Sequence, residues 1–151
     1  MNKRYRDTAI DLTTHFVLTL ALAWFFYRFT GRWDWSLLVV LGGVFIDLDH
    51  LIDYFLYFGW KFNLKDFFSH KYLASGRVYV IFHSWELVAI MWAFSFIFSW
   101  AIPIASGMTL HLLIDFFFSH RSRPLFLFLF FRWYNRFKLD KVHPELNYRR
   151  L

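Results

Sequence analysis

The sequence predicts an all-α fold: a polytopic membrane helix bundle of about four transmembrane helices plus an interfacial C-terminal helix, in one domain over residues 1–151. Three observations carry this. Apolar residues make up 58% of the chain and aromatics 25%, with 22 Phe and 8 Trp, well above a soluble domain. Separate apolar runs approach the ~20 residues that cross a hydrocarbon core. When those runs are drawn as spans, the basic residues fall largely on one side.

The first run, Ile10–Phe29, follows Lys3, Arg4 and Arg6. No small-x-small pattern follows it, so it reads as a membrane helix rather than a cleaved signal. Trp35–Phe58 is the second span and Val78–Trp100 the third. Ile104–Phe118 is the fourth; at 1.5 Å per residue it covers only ~23 Å. Pro103 and Gly107 place a tight turn between spans three and four, which makes them antiparallel neighbours. Residues 59–77 mix Trp60, Phe62, Phe67, Phe68 and Tyr72 with lysines and read as an interfacial loop. In residues 124–137 the apolar run is too short to span, and its Arg, Trp and Tyr suggest an interfacial helix or re-entrant piece.

All Lys and Arg except Arg28 and Arg32 then lie on one side. The positive-inside rule makes that side the cytoplasm, with both termini in it and the chain in the inner (cytoplasmic) membrane. The net charge of +6 is explained by orientation and anionic headgroups, so no nucleic-acid partner is needed. There is no Cys, which excludes disulfides, thiolate zinc sites and cysteine nucleophiles.

Seven ionisable residues interrupt the apolar runs: His15, Asp47, Asp49, His50, His83, His111 and Asp115. Such groups are costly in hydrocarbon unless they face a cavity and find partners. Measured along the four spans, all lie roughly 5–17 Å below the cytoplasmic surface. A metal site open to that face requires a shared depth; scattered packing polars do not. Spacing adds to this. His111 and Asp115 are i,i+4 and share a helix face, as do Asp11 and His15; Asp47 with His50 and His83 with Glu86 are i,i+3. Asp49 sits about 200° from Asp47 on a regular helix. Either it points elsewhere, toward Asp53, or the helix opens there, helped by the preceding Gly42-Gly43.

The strings GGVFIDLDH, FHSWE and GMTLHLLID resemble the membrane-bound metal-dependent hydrolase family, with its early His, Asp-x-Asp-His, His-Ser and late His-x-x-x-Asp. Those elements fall on His15; on Asp47, Asp49 and His50; on His83 and Ser84; and on His111 and Asp115. The match spans roughly residues 15–125. Two departures stand out: Ile46 occupies the place of the family's Pro, and the pair His70-Lys71 lies further upstream than the family's His-Arg. The ligand pattern is also similar to that of zinc-dependent phospholipase C. The resemblance implies a hydrolase.

The expected metal ligands are therefore His15, Asp47, His50, His83, His111 and Asp115, holding one or two divalent ions; an Asp/His set does not distinguish Zn, Mn, Mg or Fe. Asp49 or Glu86 orients or deprotonates water. Arg77, Arg121 and Arg123 share the membrane face and are expected to hold phosphate. A phosphoester of a membrane lipid is the expected substrate. A metal-ion-binding or transport protein can use the same ligands without hydrolysis, although the outer halves of the spans are nearly all apolar. A scaffold with a merely structural polar core is the third reading.

Overall fold

A computed structural model describes residues 3–119 and 123–144. Among these the secondary structure is helical apart from one isolated backbone bridge between Arg77 and Lys138. The helices are α1 (Lys3–Thr30), α2 (Trp33–Val44), α3 (Asp49–Phe58), α4 (Leu64–Phe68), α5 (Trp85–Ser95), α6 (Ala101–Ile114), α7 (Leu129–Tyr134) and α8 (Leu139–Val142).

Three stretches are long and apolar enough to cross a membrane: Thr8–Thr30, Trp33–Phe58 and Ala101–Phe118. They match the first, second and fourth expected spans. The expected third span, Val78–Trp100, does not exist as one helix. Its helical part is α5, 11 residues long, or ~16 Å at 1.5 Å per residue, too short to cross. Residues 77–84 are not helical. Hydropathy reads Val78–Phe82 as span; the backbone there is instead held by distant charged side chains, described below. Ser84 then starts α5, its hydroxyl accepting from Leu87 N, an N-cap that stops the helix from extending backward.

α6 packs against α1, α2 and α5. α5 and α6 form an antiparallel pair closed by the turn at 96–100, and Trp92 Nε1 donates to Thr109 Oγ1 across it at 3.0 Å. The α2–α6 contact is unusually close. A Cβ on Gly107 would stand 2.3 Å from the Val39 carbonyl oxygen, and one on Gly42 equally near that of Ile104. Only glycine lets the two backbones meet in this way.

The second expected span bends within itself. α2 stops at Val44, a 3-10 turn covers Phe45–Leu48, and α3 resumes at Asp49. Of the two arrangements open to Asp49, the one in which the helix opens beyond Gly42-Gly43 is present. An apolar core joins the far end of α3 to the loop and C-terminal segments through Tyr54, Tyr72, Leu73, Leu127, Leu139 and Val142. Residues 124–137, expected as one interfacial helix or re-entrant piece, form a 3-10 turn (Pro124–Leu127) and the short helix α7, with α8 following beyond them.

Candidate metal centre

The acidic and imidazole groups converge where α1, the 45–48 turn, the 77–84 strap and α6 meet. His83 is central. Its Nδ1 lies 3.0 Å from the Asp49 carboxylate. Its Nε2 lies 3.1 Å from Asp47 Oδ1, 3.2 Å from His111 Nε2 and 3.8 Å from Asp115 Oδ2. The 3-10 turn therefore puts Asp47 and Asp49 on opposite edges of one imidazole, a placement that a continuous α-helix would deny them.

His111 Nδ1 lies 2.8 Å from the Gly43 carbonyl. A carbonyl only accepts, so that nitrogen carries the proton and neutral His111 presents a lone pair at Nε2. With its Nδ1–H toward Asp49, neutral His83 would likewise present a lone pair at Nε2, whereas the imidazolium donates from Nε2 to Asp47 Oδ1. With both rings neutral, those two lone pairs face each other, with Asp47 Oδ1 and Asp115 Oδ2 each 3.5 Å from His111 Nε2. With no proton or cation among them, four electron-rich atoms would repel one another at low dielectric.

His15 stacks on His111 with ring centroids 3.9 Å apart. Its Nε2 is 3.2 Å from Asp115 Oδ1 and 3.9 Å from Asp11 Oδ1. Neither ring nitrogen of this buried residue makes a hydrogen bond. His50 completes the other edge: Nδ1 meets the Tyr72 hydroxyl at 3.1 Å and Nε2 lies 4.0 Å from Asp47 Oδ1. Two adjoining triads result, His15/His111/Asp115 and Asp47/His50/His83, each with donor atoms mutually within 4.8 Å. Together they contain all six expected ligands.

The donor chemistry fits a divalent cation. Imidazole lone pairs and carboxylates are the usual ligands, and the outer nitrogens of His83 and His111 are fixed by a carboxylate and a carbonyl, the arrangement that orients metal-binding histidines. The negative charge of buried Asp49 and Asp115, with half-buried Asp47 beside them, also calls for compensation. Burial opposes a charge on His83, but the Asp49 and Asp47 carboxylates outweigh it and hold the imidazole well above its ordinary value. They would attract a metal ion for the same reason.

The two expected water-activating carboxylates are placed otherwise. Asp49 is fully buried and accepts from Phe82 N at 2.7 Å and His83 N at 3.3 Å besides the imidazole. It positions His83. Glu86 accepts from Leu129 N and Phe130 N, both at 2.9 Å, and so caps the start of α7. Backbone N–H groups engage both oxygens of Glu86 and Oδ2 of Asp49, which sequence spacing could not show. Of the phosphate candidates, Arg77 lines a separate pocket, Arg123 is exposed, and Arg121 lies outside the described residues.

One organiser went unrecognised in the sequence. Arg132 is fully buried and donates to the carbonyls of His83 (3.0 Å), Val80 (2.9 Å) and Phe126 (2.5 Å). Burial lowers its guanidinium to about 10, so it stays charged at neutral pH. Asp53 holds the strap from the other side, both carboxylate oxygens accepting from Tyr79 N at 2.9 and 3.1 Å. Between these anchors Val80 adopts φ +34°, a strained conformation for a β-branched residue. A lone Arg within PLFLFLFFRWY carried the same signal as the lone Asp and His residues: an ionisable group in an apolar run.

Comparison with family models, curated proteins and solved structures finds no match to this chain.

Proposed function

We propose that this chain is a membrane-embedded, metal-dependent hydrolase of a lipid phosphoester, with its site opening to the cytoplasmic face of the inner membrane. The observation that carries the reading is the convergence of the His83 and His111 Nε2 atoms on Asp47 and Asp115, while both outer nitrogens are already anchored. The resemblance of the motif strings to the membrane-bound metal-dependent hydrolases supports it.

His15, His111 and Asp115 would hold one cation, and Asp47, His50 and His83 a second or a shared one. A bound divalent cation supplies a Lewis acid for the phosphoryl oxygens and acidifies a water. The chain does the rest. Asp49 keeps the His83 proton on Nδ1, and Gly43 O keeps that of His111 on Nδ1, so both lone pairs stay turned inward. Asp47 and His50 are partly exposed whereas the other four are buried, so substrate would approach along their edge. Tyr72, buried and bonded to His50 Nδ1, holds that imidazole at the entrance.

Transport of a cation would call for acidic or His groups along a path beyond the cluster. From residue 16 to 27, 35 to 46 and 101 to 110 there is no acidic, basic or His side chain, which favours a site closed at its inner end. The test is elemental analysis of the purified protein, followed by phosphate release from phospholipids in mixed micelles. Stoichiometric divalent metal and turnover, both lost in Asp47→Ala, are expected. A folded protein with no bound metal and no affinity for added Zn, Mn, Mg or Fe would overturn the reading.

A further inference from the structure

A second polar cavity lies one helical turn beyond Asp49. It has a volume of about 240 Å3 and is lined by Asp53, Leu56, Tyr57, Ser75, Arg77 and Tyr79. The carboxylate of Asp53 and the guanidinium of Arg77 face the same space, yet no ion pair joins them among the described residues. Arg77 is exposed and donates from Nη1 to the Tyr79 hydroxyl at 3.3 Å. Asp53 is 5% exposed; with Tyr79 N on both oxygens and a further backbone bond to Val80, one acceptor position on its carboxylate remains.

A buried carboxyl group and a guanidinium on the walls of one cavity suit a ligand that carries both an ammonium and a phosphate. We propose that this pocket binds the headgroup of a zwitterionic aminophospholipid: its phosphate on Arg77 and Tyr79, its ammonium between Asp53 and the ring of Tyr57. Guanidinium–phosphate bonding is charge-assisted, and an ammonium is drawn both to carboxylate and to an aromatic face. The volume equals that of about eight waters, which suits a phosphate joined to a short amine.

The location selects a lipid over a free phosphate. Tyr57 is in the last turn of the second membrane-length stretch, Trp33–Phe58, and Trp60 just beyond it is 92% exposed. Exposed aromatics at such an end mark headgroup depth. Ile52 and Leu56, exposed and one turn apart on α3, continue from the pocket as an apolar track for an acyl chain. The proposal rests on the membrane placement above but not on hydrolysis, since none of the six lining residues belongs to the metal cluster.

The test uses the full chain in detergent micelles. Binding of dihexanoyl phosphatidylethanolamine, dihexanoyl phosphatidylglycerol and inorganic phosphate is measured by titration calorimetry, with and without chelator. The aminophospholipid is expected to bind more tightly than either other probe. Arg77→Gln, at an exposed position, should weaken that binding about tenfold or more with an unchanged melting temperature. Tyr57→Ala, which opens the wall without touching the strap, should weaken it as well. Unchanged affinity in both variants would overturn the proposal. So would phosphatidylglycerol binding as tightly as the aminophospholipid, or inorganic phosphate binding as tightly as either. Asp47→Ala should retain headgroup binding, so a failure of the metal reading and a failure of this one give different results.

Discussion

Gly107→Ala tests how the candidate metal cluster is assembled, because it alters no donor atom. The added methyl would lie 2.3 Å from the Val39 carbonyl oxygen and 2.8 Å from Gly43 N, whereas ordinary van der Waals contact begins near 3.4 Å. Both obstacles are α2 backbone and cannot rotate away. α6 must therefore retreat by ~1 Å or more, at a cost of about 1–3 kcal/mol for overpacking. His111 is one turn further along α6, and its 2.8 Å bond to Gly43 O would open with the retreat. Loss of such an orienting partner typically lowers metal affinity about 10–100-fold. Affinity is read by competition against a fluorescent chelator, alongside thermal unfolding in the same detergent. Leu113→Ala, on the exposed side of the same helix, serves as control and should leave affinity unchanged. If Gly107→Ala keeps both the melting temperature and the metal affinity of the parent protein, the close α2–α6 contact does not hold His111 in place and the reasoning fails.

Asp49→Asn preserves shape and an acceptor for Phe82 N but places an amide beside His83 Nδ1, freeing the imidazole to switch tautomer; metal affinity should fall about 10–100-fold, and nitrogen-15 shifts of the His83 ring would report the switch. A wild-type ring spectrum would refute the assigned role. Arg132→Met removes three bonds to strap and neighbouring carbonyls, each worth roughly 1.5–3 kcal/mol for a charged donor, so the protein should unfold at lower temperature and become cleavable by protease within residues 77–84. Protease resistance equal to the parent's would show that Arg132 does not secure the strap.

Much of the site could be read before any coordinates. Asp and His in apolar runs are conspicuous because their burial is expensive, and the i,i+4 pairing of His111 with Asp115 follows from helix geometry alone. The spacing of Asp47 and Asp49 left two choices, Asp49 turned toward Asp53 or a helix opened near Gly42-Gly43, and the structure takes the second. The third span misled because apolar content measures solubility in lipid and is silent on backbone bonding. Val78, Val80, Ile81 and Phe82 are as apolar as any span, yet Asp49, Asp53 and Arg132 bond their backbone from 26 to 52 residues away in sequence. Those bonds compete with a local helix and leave no trace in a hydropathy window.

The sequence by itself determined which groups must find partners, since the cost of an ionisable side chain in an apolar run is a local property. Tertiary structure decided which residues distant in the chain pair with one another. Asp49 holds an imidazole, Glu86 caps α7, and Arg132 fastens a strap because side chains distant in the chain arrive at one place. The separation of helices that brings them there depends on backbone contacts at Gly42 and Gly107, where a single methyl group would be too much.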